Sequence, residues 1–143
     1  MAGTRTYDPA GIIFTFGGIL ISGYAPDTFI TATRNSDAFT LQVGAGGQTC
    51  RSRSQDKSGT ITVSLMQSSP TNDVLSALAD IDEKTGSGLG AVLIKDVNGT
   101  TVISAENAWI KKKPEAPFAK EASIREWVIE TGELDHFIGG ILV

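Results

Sequence analysis

Residues 58–78 read SGTITVSLMQSSPTNDVLSAL, and the pattern changes period half-way. Ile61, Val63 and Leu65 alternate with Thr60, Thr62 and Ser64, the period of two that marks a half-buried strand with one hydroxyl-rich face. Beyond Ser69 and Pro70 the apolar residues recur as Val74, Leu75, Leu78 and Ile81, the spacing of an amphipathic helix. Ser69 suits the N-cap, and Pro70 suits the first helical position, where a missing N–H is no loss. Asp73 falls in the first turn, where the helix dipole favours an acid. A helix is therefore expected over about 71–83, with KTGSGLG, residues 84–90, as its glycine-rich exit.

Working outward, IIFTF (12–16) and ILIS (19–22) are β-rich runs joined by Gly17-Gly18, a strong hairpin signal. TFITATR (28–34), NSD and AFTLQV (38–43) look like a second hairpin, with Phe39, Leu41 and Val43 alternating with Thr40 and Gln42. AVLIKD (91–96), the Asn98-Gly99 pair and TTVISAENAWI (100–110) predict a third. Pro114 and Pro117 bracket a loop before SIREWVIETG (123–132), the last long strand. All five prolines lie outside these strands, as ladder hydrogen bonding demands. The expected fold is mainly β: antiparallel sandwich- or barrel-forming sheets with one α-helix, in a single domain spanning 1–143.

Composition narrows the function. Of 143 residues, 41% are apolar and 20% charged, an ordinary globular balance. The net charge of −4 divides unevenly: residues 1–70 hold 5 Lys/Arg against 4 Asp/Glu, residues 71–143 hold 7 against 12. An acidic chain does not grip DNA phosphates through counterion release. Cys50 is the one cysteine, so no internal disulfide forms. No signal peptide or membrane span is apparent, which suggests a soluble, cytoplasmic product.

The stretches that could carry chemistry fail on context. GAGGQTCRSRSQDKSG (44–59) has the glycines and cations of a phosphate loop, but it lies between two alternating strands with no helix after it. GSGLGA (86–91) fits a dinucleotide fingerprint formally, yet a helix precedes it and a strand follows, the inverse of the required order. His136 is the one histidine and no G-x-S-x-G elbow accompanies it, so it is read as structural. Glu130, Glu133 and Asp135 match no calcium loop and are taken as a solvated or cavity-lining acidic face. Trp109 and Trp127 are expected as core or interface anchors, and Lys111, Lys112 and Lys113 as a solvated rim. No catalytic, cofactor or metal site is expected. Assembly is: short antiparallel strands leave free edges, HFIGGILV is an apolar C-terminal run, and residues 45–58 form a long polar loop.

AGTRTYDP, FGG, ISGYAPDTF, RNSDAFT, SGTITVSLMQSSPTNDVLSAL, LIKD, AWIKKKP and REWVIETGELDHFIGG, in that order, resemble the tail tube proteins of contractile-tailed bacteriophages. The resemblance covers nearly the whole chain. It implies a virion protein made in the host cytoplasm, without enzymatic activity, forming hexameric rings that stack into a tube. Such a tube holds a tape measure protein and passes DNA without specific binding. Tail sheath, baseplate and tail terminator proteins are its other partners, and no membrane is involved. By the resemblance, Gly44, Gly46, Gly47, Arg51, Arg53, Asp56 and Lys57 make an inter-ring contact loop at about 44–58. Thr40, Gln42, Thr60, Thr62 and Ser64 are candidates to face the lumen, and Val74, Leu75, Leu78 and Ile81 pack the helix. Six subunits giving about four strands each would close roughly 24 strands, a barrel roughly 50 Å across at ~4.8 Å spacing and ~45° tilt. Side chains leave about 40 Å, against roughly 20 Å for a DNA duplex, whereas three subunits leave about 15 Å. A contractile injection or secretion tube, and a β-sandwich capsid-decoration or host-binding module, are the alternatives.

Overall fold

In the computed structural model, which describes residues 3–142, a short 3-10 turn at Pro9–Gly11 leads into the first strand. The strands are β1 (Ile12–Phe16), β2 (Ile19–Leu20), β3 (Ile30–Arg34), β4 (Phe39–Val43), β5 (Thr49–Arg53) and β6 (Gly59–Met66). Helix α1 (Thr71–Thr85) follows, then β7 (Gly90–Asp96), β8 (Val102–Lys112), β9 (Ile124–Thr131) and β10 (Asp135–Phe137). Eight strands form one antiparallel sheet in the order β2-β1-β7-β8-β9-β6-β3, with β10 also paired to β8. β4 and β5 form a separate two-stranded sheet.

The large sheet curls. Phe14 and Phe16 of β1 share a buried cluster with Ile61, Val63 and Leu65 of β6, although β7, β8 and β9 lie between them. A flat sheet would hold β1 and β6 roughly 19 Å apart, so the concave face must fold on itself to bring them together. Trp127, Ile129, Val92, Ile94, Ala105, Ala108 and Leu134 complete that core. The curl does not close, since β3 and β2 are both edges with no ladder between them. Tyr24 packs beside the core and donates its hydroxyl to the Ile21 carbonyl at 2.9 Å; burial pushes its phenol up to about 12.

α1 covers the concave side near β8. Pro70, not Ser69, holds the N-cap position, with no side-chain cap; Ser69 Oγ accepts from the Thr71 N–H at 3.3 Å and donates to the Ser22 carbonyl, tying the helix start to the chain after β2. Asn72 Oδ1 accepts the Trp127 indole N–H at 2.9 Å. Gly86, at φ 73°, ends the helix in the left-handed conformation its missing side chain permits. Of the expected packing stripe, Leu75 is fully buried, Leu78 packs on the core and Val74 is half-buried. Ile81 is not packed: it is 49% exposed.

Three expectations are corrected. The second hairpin does not form, because β3 pairs with β6 and β4 with β5; Ile30 and Ala32 follow the core-facing Val63 and Ile61 instead. Residues 49–53, read as loop, are strand β5. The β7–β8 hairpin exists, but its bend takes residues 97–101 and is pinned by the Asn98 N–H on Asp96 Oδ1, rather than being a two-residue Asn-Gly turn. By contrast, Gly17 and Gly18 turn β1 into β2 with φ of 59° and 83°, as expected of that pair. The apolar C-terminal run is tied down as well. Leu142 N–H reaches the Asn98 carbonyl and Thr100 N–H the Gly140 carbonyl, while Phe137, Ile138 and Leu142 stay exposed.

Urea unfolding of the subunit should separate the two kinds of helix position. Leu75→Ala leaves a core cavity and is expected to cost ~2–5 kcal/mol, whereas Ile81→Ala should stay within about 0.5 kcal/mol.

Candidate assembly surface

β4 and β5 stand apart from the body, and every one of their residues is exposed. Cross-strand partners share a face, so the register sorts the side chains. Phe39 pairs with Arg53, Leu41 with Arg51 and Val43 with Thr49, which gives an apolar face edged by two cations. Thr40 with Ser52 and Gln42 with Cys50 make the opposite, polar face. The Arg51 guanidinium lies 4.3 Å from the Phe39 ring centroid, in cation–π contact. Among the described residues neither Arg51 nor Arg53 makes an ion pair. Gly44, Gly46 and Gly47 form the tip, where Gly44 N–H meets the Gln48 carbonyl and Gly47 N–H the Gly44 carbonyl.

A two-stranded ribbon is at best marginally stable alone in water. This one is held at its root. Asp56 accepts from Ser36 Oγ, Ser58 Oγ and Ser58 N–H, at 2.5, 2.6 and 3.0 Å. Asn35 bridges Ser58 and Thr60, and Arg34 gives two hydrogen bonds to the Leu134 carbonyl. Lys57 pairs with Glu133 at 3.6 Å. Of the seven expected contact-loop residues, Asp56 and Lys57 are thus engaged within the chain, while Arg51 and Arg53 project.

The lumen candidates divide. Thr60, Thr62 and Ser64 share the non-core face of β6 with Thr31 and Thr33 of β3 and with Glu126, Val128 and Glu130 of β9. Trp109, opposite Glu130, continues that face onto β8, whereas Trp127 is core. Thr40 and Gln42 belong to the separate hairpin, so the five do not form one wall. The alternation marks a half-buried strand in β6, whereas β4, expected to be half-buried as well, is exposed on both faces, and alternation does not say which strands are neighbours.

The remaining candidates are spread out. Glu130 pairs with Lys111 at 3.3 Å, Glu133 with Lys57, and Lys113 with Asp80. His136 is exposed on β10 opposite Ile103, and Cys50 is exposed on the hairpin. Residues 86–89 are the helix exit, with Gly88 N–H on Asp82 Oδ1, and Gly90 and Ala91 already belong to β7. Among the described residues no cluster of His, Cys, Asp or Glu could hold a metal, and no helix is long and apolar enough to cross a membrane. The Asp56 latch had a signal, the serine- and aspartate-rich SRSQDKS, in which short polar side chains bond to nearby backbone.

The family model described as the bacteriophage PhiTE tail tube protein matches residues 10–139, from the 3-10 turn to the end of the sheet. The chain belongs to this phage tail tube family. It is a structural tube-type protein of the virion, and the decoration or host-binding alternative falls. A structural protein, ORF10, of Pseudomonas phage KPP10 is 33% identical over 138 residues, covering 90% of this chain and 80% of the relative. Two solved structures share the fold at low identity. The tube-terminating cap of the anti-feeding prophage has a TM-score of 0.66 at 12% identity, covering 96% of this chain and 94% of that one. A chain of the sheath-tube complex of an extracellular contractile injection system, PVC, has a TM-score of 0.62 at 10% identity, covering 92% and 91%.

The hydrogen bonds from Ser36 and then Ser58 hold the Asp56 carboxyl at about 2, below the usual ~3.9. A depressed folded value stabilises the root above the unfolded value and ceases to do so as pH falls through about 2. Carbon-detected titration of the free subunit should place the Asp56 midpoint near that value. Asp56→Ala should speed amide exchange at Ser58 and leave the core amides protected.

Proposed function

We propose that this tail tube protein forms hexameric rings stacked into a hollow tube, which holds a tape measure protein before infection and conducts DNA during it. The projecting hairpin carries the reading: its apolar face and two unpaired arginines are surface that a neighbouring copy would cover. The polar face of β3, β6, β9 and part of β8 spans about four strands, the share that six subunits need for a barrel wide enough for DNA. On this reading Thr60, Thr62, Ser64, Glu126 and Glu130 line the lumen, where carboxylates repel phosphate and let DNA slide. α1 lies on the other side of the sheet and so outside the barrel, towards a sheath protein. Baseplate and terminator proteins close the two ends. On this reading the chain is structural and performs no catalysis. The likeness to injection-system proteins speaks for the fold, and the phage family match favours a genome cargo over an injected protein.

Electron microscopy of the concentrated, purified protein should show hollow tubes with six-fold end views. Monomers or small closed oligomers at every concentration would contradict the proposal. Reversing both hairpin cations, Arg51→Glu with Arg53→Glu, should keep the subunit's circular dichroism and melting unchanged while reducing tube yield. The reduction should be larger at low salt, where repulsion is least screened.

A further inference from the structure

The open seam of the curled sheet leaves a groove of about 600 Å³ between the β3 edge and the start of β1 with β7. Ile12 of β1 and Ile94 of β7 line one wall, Ile30 and Ala32 of β3 the other, with Phe29 and Tyr7 at the mouth. Ile12, Phe29, Ile30 and Ala32 are half-buried, Ile94 at the floor is buried, and Tyr7 is 54% exposed. Asp27 lies on the rim and makes no ion pair among the described residues.

We propose that this groove receives the apolar face of the β4–β5 hairpin from a second copy of the chain. The inference rests on the tube reading and names the surface the hairpin meets. The two surfaces are complementary in kind. One is a row of Phe39, Leu41 and Val43, ~13 Å long at ~3.3 Å per residue, edged by Arg51 and Arg53. The other is an apolar cleft edged by a carboxylate. The hairpin does not fill the groove of its own chain, since all its residues are exposed and its root is tied at the far end of β3, to Ser58 and Leu134. Hairpin and groove are different patches, so a hairpin seated in the groove of the next copy makes a head-to-tail contact, the kind that propagates into rings or filaments.

The test places a benzophenone amino acid at position 41 and assembles tubes from equal parts of heavy-isotope and ordinary protein. Irradiation should cross-link position 41 to residues 26–32 or 7–12 of another copy, seen as mixed-isotope peptide pairs. Tubes in which position 41 cross-links within its own chain, or to a different surface such as the loop around Phe118, would overturn the groove and leave the tube reading standing. Wild-type protein that forms no tubes would overturn the tube reading and this inference with it. A charge exchange gives a second arm. Asp27→Arg and Arg53→Glu should each raise the concentration needed for assembly severalfold, and together return it towards wild type. Additive losses would overturn the pairing.

Discussion

The ladder between β6 and β9, paired from Gly59–Thr131 to Met66–Ile124, carries the rest of the molecule. On one side it presents Ile61, Val63, Leu65, Trp127 and Ile129 to the core. On the other it presents Thr60, Thr62, Ser64, Glu126 and Glu130 to solvent. Both ends of β6 bear attachments: the hairpin root hangs from Gly59 and Ser58, and α1 follows from Met66 through Ser69. Because cross-strand side chains share a face, the ladder fixes at once which surface is dry, which is wet, and where hairpin and helix project. A one-residue slip would exchange the two faces and destroy core and polar wall together.

Much of this was legible because it is local. The β6 alternation, the change of period at Ser69-Pro70 and the Gly17-Gly18 turn each lie within a few residues, and the structure has all three. What was missed is non-local or solvated. β5 is TCRSR, exposed on both faces, so it has no apolar alternation to mark it; it is a strand because β4 lies beside it. β3 could have paired with β4 or β6 as far as pattern goes, and burial of Ile30 and Ala32 against the core decides for β6. The lumen candidates were split for the same reason: alternation labels a residue's side of its own strand, not its sheet. Asp56 and Lys57 looked like free charges for a partner, but side chains far along the chain engage both, Ser36 and Glu133.

The subunit is complete in one sense and incomplete in another. Its core is buried, and among the described residues no buried polar side-chain atom lacks a partner. Its periphery keeps Leu41 at 65%, Val43 at 63% and Phe39 at 43% exposure on a ribbon that a two-stranded sheet cannot stabilise alone. A hydrogen-bonded root with an unsupported tip suits the proposed polymerisation, in which the root would set direction and a neighbouring copy would supply the remaining order.

Amide hydrogen exchange of residues 39–53, compared between free subunit and assembled tube, tests this account most directly. The free subunit should show slow exchange across β6 and β9 and fast exchange along β4 and β5, with the hairpin amides becoming strongly protected in the tube. A hairpin already as protected in the free subunit as β6, or one still exchanging fast in the tube, would contradict the claim that a neighbouring copy completes it.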